Sequence, residues 1–352
     1  MAAFGIETYT VGQFEVVVDK LSAAYCSTCS SFPLANPRHV NSEPTLQLSM
    51  TLKFRHPITV YSLVPGGVSP LAMTSAVIHM LDRNVVSWIG REPRGEPDSP
   101  RDAAMRWWLK FLDTPTQSIN PVLCAFEGNK RRIPTLDEFK DEYRRSCEKI
   151  GAYFRSARIF RHQEDDLLQI YQNVVDLHAR HSAEMDFLCE IAPEIAERHK
   201  RHELVAIRNR IFDAAQRRCL GTSLVLIATL SCLYEGATEA AASPARGVIK
   251  PKPKYGPMAA HNALSDVRAV EMLAASALLR PGTLGLCTGD LRLARFWAAL
   301  GITSATWSGN NACTVNHRMS SRLFPILTDV QCRELAEILV EHGFADACSH
   351  LG

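Results

Sequence analysis

The sequence predicts an α/β fold, in which a mainly parallel twisted sheet is flanked by helices, and three observations favour this class. Two short apolar runs, residues 76–81 and 284–287, each stop at a turn that carries an aspartate. A helical pattern follows each turn, as in the strand–helix units of parallel sheets. Long helical patterns occupy most of the chain between the two runs.

Residues 1–73 predict a β-rich unit that precedes the main domain. Segments 12–18 and 45–54 alternate, or nearly alternate, apolar and polar residues, which is the period of a half-buried strand. Segment 58–64 continues this pattern between Pro57 and a turn with two glycines. We expect a small antiparallel β-unit packed on the domain formed by residues 74–352.

Helical patterns dominate the middle of the second domain and predict a helical insertion at about residues 134–220. Thr135 and Glu138 have the spacing of a capping box at the start of a helix. Residues 205–233 begin amphipathic and become almost wholly apolar, so the second half of this stretch predicts a buried helix. The remaining predicted elements are helices at 99–112, 139–154, 167–188 and 328–342 and a strand at 302–307.

Composition and charge restrict the class of protein. The 352 residues are enough for a large core or two modules, and 46% hydrophobic with 22% charged residues is typical of globular chains. The formal net charge of +2 means that nucleic-acid binding would need local basic patches. Eleven cysteines without a secretion signal, and no apolar stretch long enough to span a bilayer, predict a soluble cytoplasmic protein.

Four acidic residues lie in settings that suit metal ligands: Asp82, Glu127, Asp266 and Asp290. Asp82 and Asp290 each follow a predicted buried strand, which places them at the carboxyl edge of the sheet, where open α/β sheets build their sites. Carboxylates gathered there repel one another unless a cation neutralises them, so the pattern predicts a bound divalent metal. Taken singly, these aspartates have a structural interpretation as helix or strand-end caps.

Two polar neighbours are expected to support the acids. Asn84, two residues beyond Asp82, could hydrogen-bond an acid or a ligand water. Thr288 could cap the helix that follows Asp290.

The segments that carry these acids resemble the motifs of PIN-domain nucleases: Asp82 with Asn84, Glu127, Ser265 with Asp266, and Thr288 with Asp290. The resemblance covers residues 74–130 and 220–310. It implies a PIN-like fold and hydrolysis of phosphodiester bonds in single-stranded RNA, with Mg²⁺ or Mn²⁺ held by the four acids. It also implies that Ser265 and Asp266 open a helix.

The chain departs from that pattern at two points. Many members of the family carry a further acid two residues beyond the last aspartate, and here that position is Arg292. The predicted insertion also separates Glu127 from Asp266. Fewer acids leave two alternatives, a single tightly held metal ion or a second ion recruited only with substrate.

Two basic clusters near the acids are candidate contacts for a phosphate backbone: Lys130, Arg131 and Arg132, and then Lys250, Lys252 and Lys254. The second cluster lies in a proline-rich segment, residues 243–257, which predicts an exposed loop. Tyr255 in that segment could offer a stacking surface to a base. The alternative is that these charges are only solvated.

The predicted function is a divalent-metal-dependent endonuclease acting on single-stranded RNA. The segments beyond a minimal PIN domain suggest restraint by a regulatory protein partner, as in a toxin or defence effector, and the oligomeric state is left open. The alternatives are a catalytically inactive PIN-like scaffold that binds a partner, and a metal-dependent DNA nuclease.

Overall fold

The computed structural model describes residues 7–11, 14–18, 51–65, 67–91, 99–127, 132–175, 178–221, 223–277, 283–308, 312–317 and 319–344. Its contacts divide the chain into two compact units, Met1–Ile58 and Thr59–Gly352. In the first unit, strands β1 (Glu7–Val11), β2 (Phe14–Val18) and β3 (Thr51–Lys53) form an antiparallel sheet in that order. The predicted strands at 12–18 and 45–54 overlap β2 and β3.

The described elements of the second unit follow in chain order: β4 (Tyr61–Val64), β5 (Gly67–Pro70), β6 (Ile78–Leu81), α1 (Arg83–Ile89), α2 (Pro100–Leu109), β7 (Ser118–Asn120), α3 (Val122–Glu127), α4 (Leu136–Tyr153), β8 (Arg158–Ile159), α5 (Glu164–Val175), α6 (His178–Ile191), α7 (Leu204–Arg217), α8 (Leu224–Leu233), α9 (Arg246–Ile249), α10 (Pro257–Ala277), β9 (Leu284–Thr288), α11 (Leu291–Leu300), β10 (Ile302–Ser308), β11 (Ala312–His317) and α12 (Asp329–Glu341).

A six-stranded open sheet in the order β5-β4-β9-β6-β7-β8 forms the centre of this unit, and helices flank it. Strands β9, β6, β7 and β8 are parallel, whereas β4 is antiparallel to both β5 and β9. The predicted α/β class and mainly parallel sheet are therefore confirmed. Strands β4 and β5 fall within residues 1–73, but they belong to this sheet because Tyr61 pairs with Thr288 of β9.

The order of the parallel strands reverses beside β6. From β6 the chain continues outward to β7 and then β8, whereas the later strand β9 pairs with the opposite side of β6. The helices that follow such strands diverge at the reversal, and open α/β sheets bind their ligands at that point. The carboxyl ends of β6 and β9 therefore mark the position at which a site is expected.

The middle of the chain is mostly helical, as predicted, and part of it builds the sheet. Strand β8 lies inside residues 134–220 and pairs in parallel with β7. Helix α4, which begins with the predicted capping box of Thr135 and Glu138, is therefore a crossover between two strands of the sheet.

Helix α8 is buried from Val225 to Leu233, as its apolar sequence predicts. Cys219 and Gly221 have positive φ angles and separate α8 from the amphipathic α7. A small two-stranded antiparallel sheet, β10 with β11, follows α11. Among the described helices, none combines the length and the apolar character that crossing a membrane requires.

Candidate functional site

Asp82 lies directly after β6, at the reversal of the strand order. Its backbone N–H donates to the carbonyl oxygen of Cys287 in β9 at 2.9 Å, which continues the pairing of the two strands. Its side chain caps α1, because Oδ1 accepts from the backbone N–H of Asn84 at 3.1 Å. The Asn84 amide nitrogen is 3.5 Å from Oδ2, so the backbone contact is the stronger of the two. Asp82 is only 6% exposed, so its carboxyl is buried at the edge of the sheet.

Asp290 occupies the equivalent position after β9. Its Oδ1 accepts from the backbone N–H groups of Arg292 and Leu293 at 2.7 and 3.3 Å, so Asp290 itself is the N-cap of α11. The prediction that Thr288 caps this helix is wrong, because an N-cap side chain must lie at the helix start, two residues later.

Thr288 instead joins the two aspartates. Its fully buried hydroxyl donates to Asp82 Oδ2 at 2.6 Å and accepts from the backbone N–H of Asp290 at 3.0 Å. One side chain therefore sets the spacing of the two strand-end acids.

Glu127 is the last residue of α3 and approaches the same edge from a neighbouring helix. The Cys124 thiol of this helix donates to the carbonyl oxygen of Leu81, which ties α3 to the end of β6. The pKa of Glu127 is raised well above its ordinary value, first by burial and then by repulsion from Asp82 and Asp266. Glu127 therefore lies within the electrostatic field of both aspartates.

Asp266 lies in the interior of α10, which begins at Pro257. The expectation that Ser265 and Asp266 open a helix is therefore wrong, and an N-cap role for Asp266 is excluded with it. Its Oδ2 is 3.4 Å from the ammonium group of Lys250. Burial raises the pKa of Asp266 to about 7, in spite of Lys250, and repulsion from Asp82 and Asp290 adds to the rise.

The four acids form one electrostatic cluster. Burial also raises the pKa of Asp82, against the hydrogen bonds from Thr288 and Asn84, and repulsion from Asp290 contributes. Each of the four carboxyls interacts repulsively with at least two of the others. The repulsion between buried like charges of this kind is relieved by a bound proton or by a cation.

The donor chemistry fits Mg²⁺ or Mn²⁺, since carboxylate oxygens are the ligands that these hard cations prefer. In the described part of the chain, no three carboxylate, imidazole or thiol groups are arranged as a ready set of metal ligands. Oxygens of Asp82 and Asp290 are instead engaged as helix caps. Coordination would therefore use the remaining carboxylate oxygens or exchange a capping hydrogen bond for a metal bond.

The first predicted basic cluster is only partly described. Lys130 and Arg131 lie outside the described residues. The guanidinium of Arg132 is exposed and donates to Glu138 at 2.7 Å, at the start of α4.

The segment that carries the second basic cluster is less exposed to solvent than the sequence predicts. Lys252 and Lys254 are exposed, and Lys250 is paired with Asp266. The predicted loop contains α9, whose Val248 and Ile249 are buried. Tyr255 is only 7% exposed and donates to the carbonyl oxygen of Ile249, so the predicted stacking surface is wrong. The apolar residues on either side of the lysines, Val248, Ile249 and Tyr255, are the reason, because they pack this segment against the core.

Sequence reasoning missed the interactions that bring these elements together. The contact of Lys250 with Asp266 and the bridge from Thr288 to Asp82 join residues that no local pattern connects. The left-handed backbone of Lys250, with φ 53° and ψ 51°, also carries no sequence signal, since glycine or asparagine is usual there.

The resemblance to PIN-domain nucleases rests on the acid-bearing segments alone. Those segments lie at the ends of β6, α3 and β9 and within α10. No protein-family model, no curated protein and no solved structure matches this chain.

Proposed function

We propose that this protein is a divalent-metal-dependent endonuclease that hydrolyses phosphodiester bonds in single-stranded RNA. The observation that carries the proposal is the cluster of Asp82, Glu127, Asp266 and Asp290, in which three carboxyl pKa values are raised by burial and mutual repulsion. Buried carboxyl groups that repel one another favour the binding of positive charge. This cluster lies where the strand order reverses, which is where open α/β sheets bind their ligands.

Under this proposal, Asp82 and Asp290 hold Mg²⁺ or Mn²⁺, and Glu127 and Asp266 complete or orient the shell. Once bound, the ion supplies an activated water and stabilises the charge of the departing oxygen. Thr288 keeps the two strand-end aspartates at a constant spacing through its two hydrogen bonds.

The proposed RNA substrate and the proposed regulation by a protein partner rest on features other than the acidic cluster. The choice of RNA rests on the resemblance, and the exposed Lys252 and Lys254 offer a path for a phosphate backbone toward Asp266. We propose a cytoplasmic enzyme that a protein partner restrains, as in a toxin or defence effector, because the chain is much longer than a minimal nuclease domain.

A second candidate is a scaffold whose acids are no longer catalytic. The observation that favours it is the use of Asp82 and Asp290 as helix caps, a common structural role for aspartate. A metal-dependent DNA nuclease is a third candidate, and it differs from the main proposal only in its substrate.

The test is the cleavage of a mixed pool of single-stranded RNA and DNA with Mn²⁺. Wild type is compared with Asp82→Asn and with Asp213→Asn, which changes an exposed aspartate of α7. We expect RNA cleavage that requires Mn²⁺, survives Asp213→Asn and is lost in Asp82→Asn. Cleavage of DNA alone would select the third candidate. Absence of both Mn²⁺ binding and cleavage would select the scaffold.

A further inference from the structure

Lys250 is the lysine of its segment that contacts the acidic cluster. Its ammonium group is 3.4 Å from Asp266 Oδ2, and its side chain is 48% exposed. Within the described residues, Lys252 and Lys254 pair with no carboxylate, although they lie only two and four residues further along. The ammonium group of Lys250 therefore lies beside a carboxyl that we propose as part of the metal site, and its other side is open to solvent.

The backbone of Lys250 does not explain why this residue is a lysine. It adopts the left-handed conformation at the C-terminal end of α9, with φ 53° and ψ 51°. A residue with a Cβ is disfavoured in this conformation, and glycine is the usual residue at such a helix end. A glycine at this position would end α9 at a lower conformational cost, so the lysine side chain itself needs an explanation.

The helix that ends at Lys250 is held firmly against the core. Arg246 of α9 contacts Glu235, whose side chain is only 2% exposed, at 2.7 Å from Nε and at 2.6 Å from a terminal nitrogen. The Tyr255 hydroxyl donates to the carbonyl oxygen of Ile249, the residue before Lys250, at 2.8 Å. These contacts fix the backbone on both sides of Lys250, whereas its flexible four-carbon stem can still move the ammonium group.

Lys250 and Arg83 act on different members of the acidic cluster. Burial raises the pKa of Asp266 to about 7, and Lys250 opposes that rise. Burial also raises the pKa of Glu127, and there the opposing cation is Arg83 of α1. An ammonium group and a metal ion that bind the same carboxyl are both positive, so each weakens the binding of the other. Lys250 is therefore in a position to compete with a metal ion at Asp266.

We propose that Lys250 exchanges partners: its ammonium group pairs with Asp266 while no metal ion is bound, and it contacts a phosphate of the RNA once an ion is bound. This partner exchange rests on the proposed function and adds to it a residue outside the four acids. When Mg²⁺ or Mn²⁺ is bound at the cluster, the ammonium group is repelled from Asp266 and turns to its solvent side, where a phosphate would meet it. A lysine suits this role, because it carries a compact charge with three donors on a flexible stem.

The first test measures Mn²⁺ binding to the full chain by titration calorimetry, without RNA. We expect Lys250→Gln to bind Mn²⁺ about fivefold more tightly than wild type, because the cation that competes at Asp266 is gone. The control Lys252→Gln removes the same charge two residues away, and its affinity should stay within about twofold of wild type, since salt screens exposed charges. An affinity of Lys250→Gln that is unchanged or lower, or that rises equally in both variants, would overturn the partner exchange.

The second test measures the binding of a short single-stranded 2′-O-methyl RNA, which resists cleavage, in Mn²⁺ and in EDTA. In Mn²⁺, Lys250→Gln should weaken binding about tenfold, as for the loss of one charge-assisted hydrogen bond. In EDTA the loss should be much smaller, because Asp266 then holds the ammonium group of wild type. Equal losses in the two conditions, or no loss in Mn²⁺, would overturn the partner exchange.

A second variant, Lys250→Gly, separates the charge of the side chain from the backbone conformation. Glycine suits the left-handed conformation, so this variant should unfold at a temperature no lower than that of Lys250→Gln and should bind Mn²⁺ as tightly. A marked loss of stability in both variants would make the ion pair structural and overturn the proposal. If Mn²⁺ and RNA binding respond as expected but wild type cleaves no RNA, the result counts against the nuclease alone. Absence of Mn²⁺ binding would overturn both.

Discussion

The regions around Glu184 and Asp266 both bury a carboxylate, and they differ in how its negative charge is balanced. Glu184 of α6 is fully buried and contacts Arg180 at 2.8 Å, Ser223 at 2.5 Å and the guanidinium of Arg268 in α10. Asp266 belongs to the same helix as Arg268, but it faces three other acids and has a single lysine as its partner.

The buried charge of Glu184 stabilises the fold, whereas the buried charges of the acidic edge are available for chemistry. Each oxygen of Glu184 has a cationic or hydroxyl partner, so that network is complete and its removal should cost stability. The acidic edge is incomplete, because its repulsions persist until a proton or cation arrives. Asp266 and Arg268 are two residues apart and point to opposite sides of α10, so one helix serves both regions.

The largest effect on stability is expected in the complete network. Replacement Glu184→Gln removes the fully buried carboxylate of the network and leaves Arg268 and Arg180 with Glu271 alone. It should lower the free energy of unfolding by about 3 kcal/mol. Denaturant unfolding measures this, with Glu194→Gln as the control. Glu194 pairs with Arg210 at 2.8 Å on the surface, where the loss should be about 1 kcal/mol or less. Equal losses in the two variants would contradict the structural role of Glu184.

At the acidic edge, we expect a large loss of activity with little loss of stability. Asp82→Asn and Asp290→Asn should each lower the cleavage rate by about a hundredfold to a thousandfold, the scale of losing one group that stabilises transition-state charge. Their unfolding free energies should stay within about 1 kcal/mol of wild type, since each change also removes a repulsion. Marked unfolding of either variant would assign these residues to structure.

The raised pKa of Asp266 should also make the stability of the protein depend on pH. The pKa of Asp266 is raised from the ordinary value of 3.8 to about 7, so the folded state binds its proton more tightly than the unfolded state. Stability contributed in this way is fully present below about pH 4 and is lost as the pH rises toward 7.

We expect the metal-free protein in EDTA to lose stability over this interval, and Asp266→Asn to lose less. Urea unfolding at successive pH values measures the difference between the two proteins. Identical profiles would show that Asp266 is not perturbed in the folded state.

The smallest effect is expected outside both regions, at the exposed lysines. Replacement of Lys252 and Lys254 together with alanine should weaken single-stranded RNA binding about threefold at low salt and reduce the slope of affinity against salt. Filter binding at several salt concentrations measures this. An unchanged slope would exclude this segment from the path of the phosphate backbone.

The local elements of this protein were predictable because their causes are local. The capping box of Thr135 and Glu138 begins α4, and the pattern at residues 328–342 corresponds to α12 with Thr328 as its N-cap. The apolar runs before Asp82 and Asp290 are β6 and β9, which pair in parallel. Alternating polarity, the spacing of capping residues and apolar runs are each patterns of a few neighbouring residues. Those same residues determine whether a segment forms a helix or a strand.

The sequence by itself therefore determined the α/β class and the positions of the strand-end aspartates. Only the tertiary structure decided that Thr288 bridges Asp82 and Asp290, that Asp266 lies within a helix beside Lys250, and that Tyr255 is buried. These contacts depend on strand order and helix packing, which bring together residues that are far apart in the chain. A hydrogen bond between residues 82 and 288 leaves no periodic pattern, because its partners meet only after the sheet has formed.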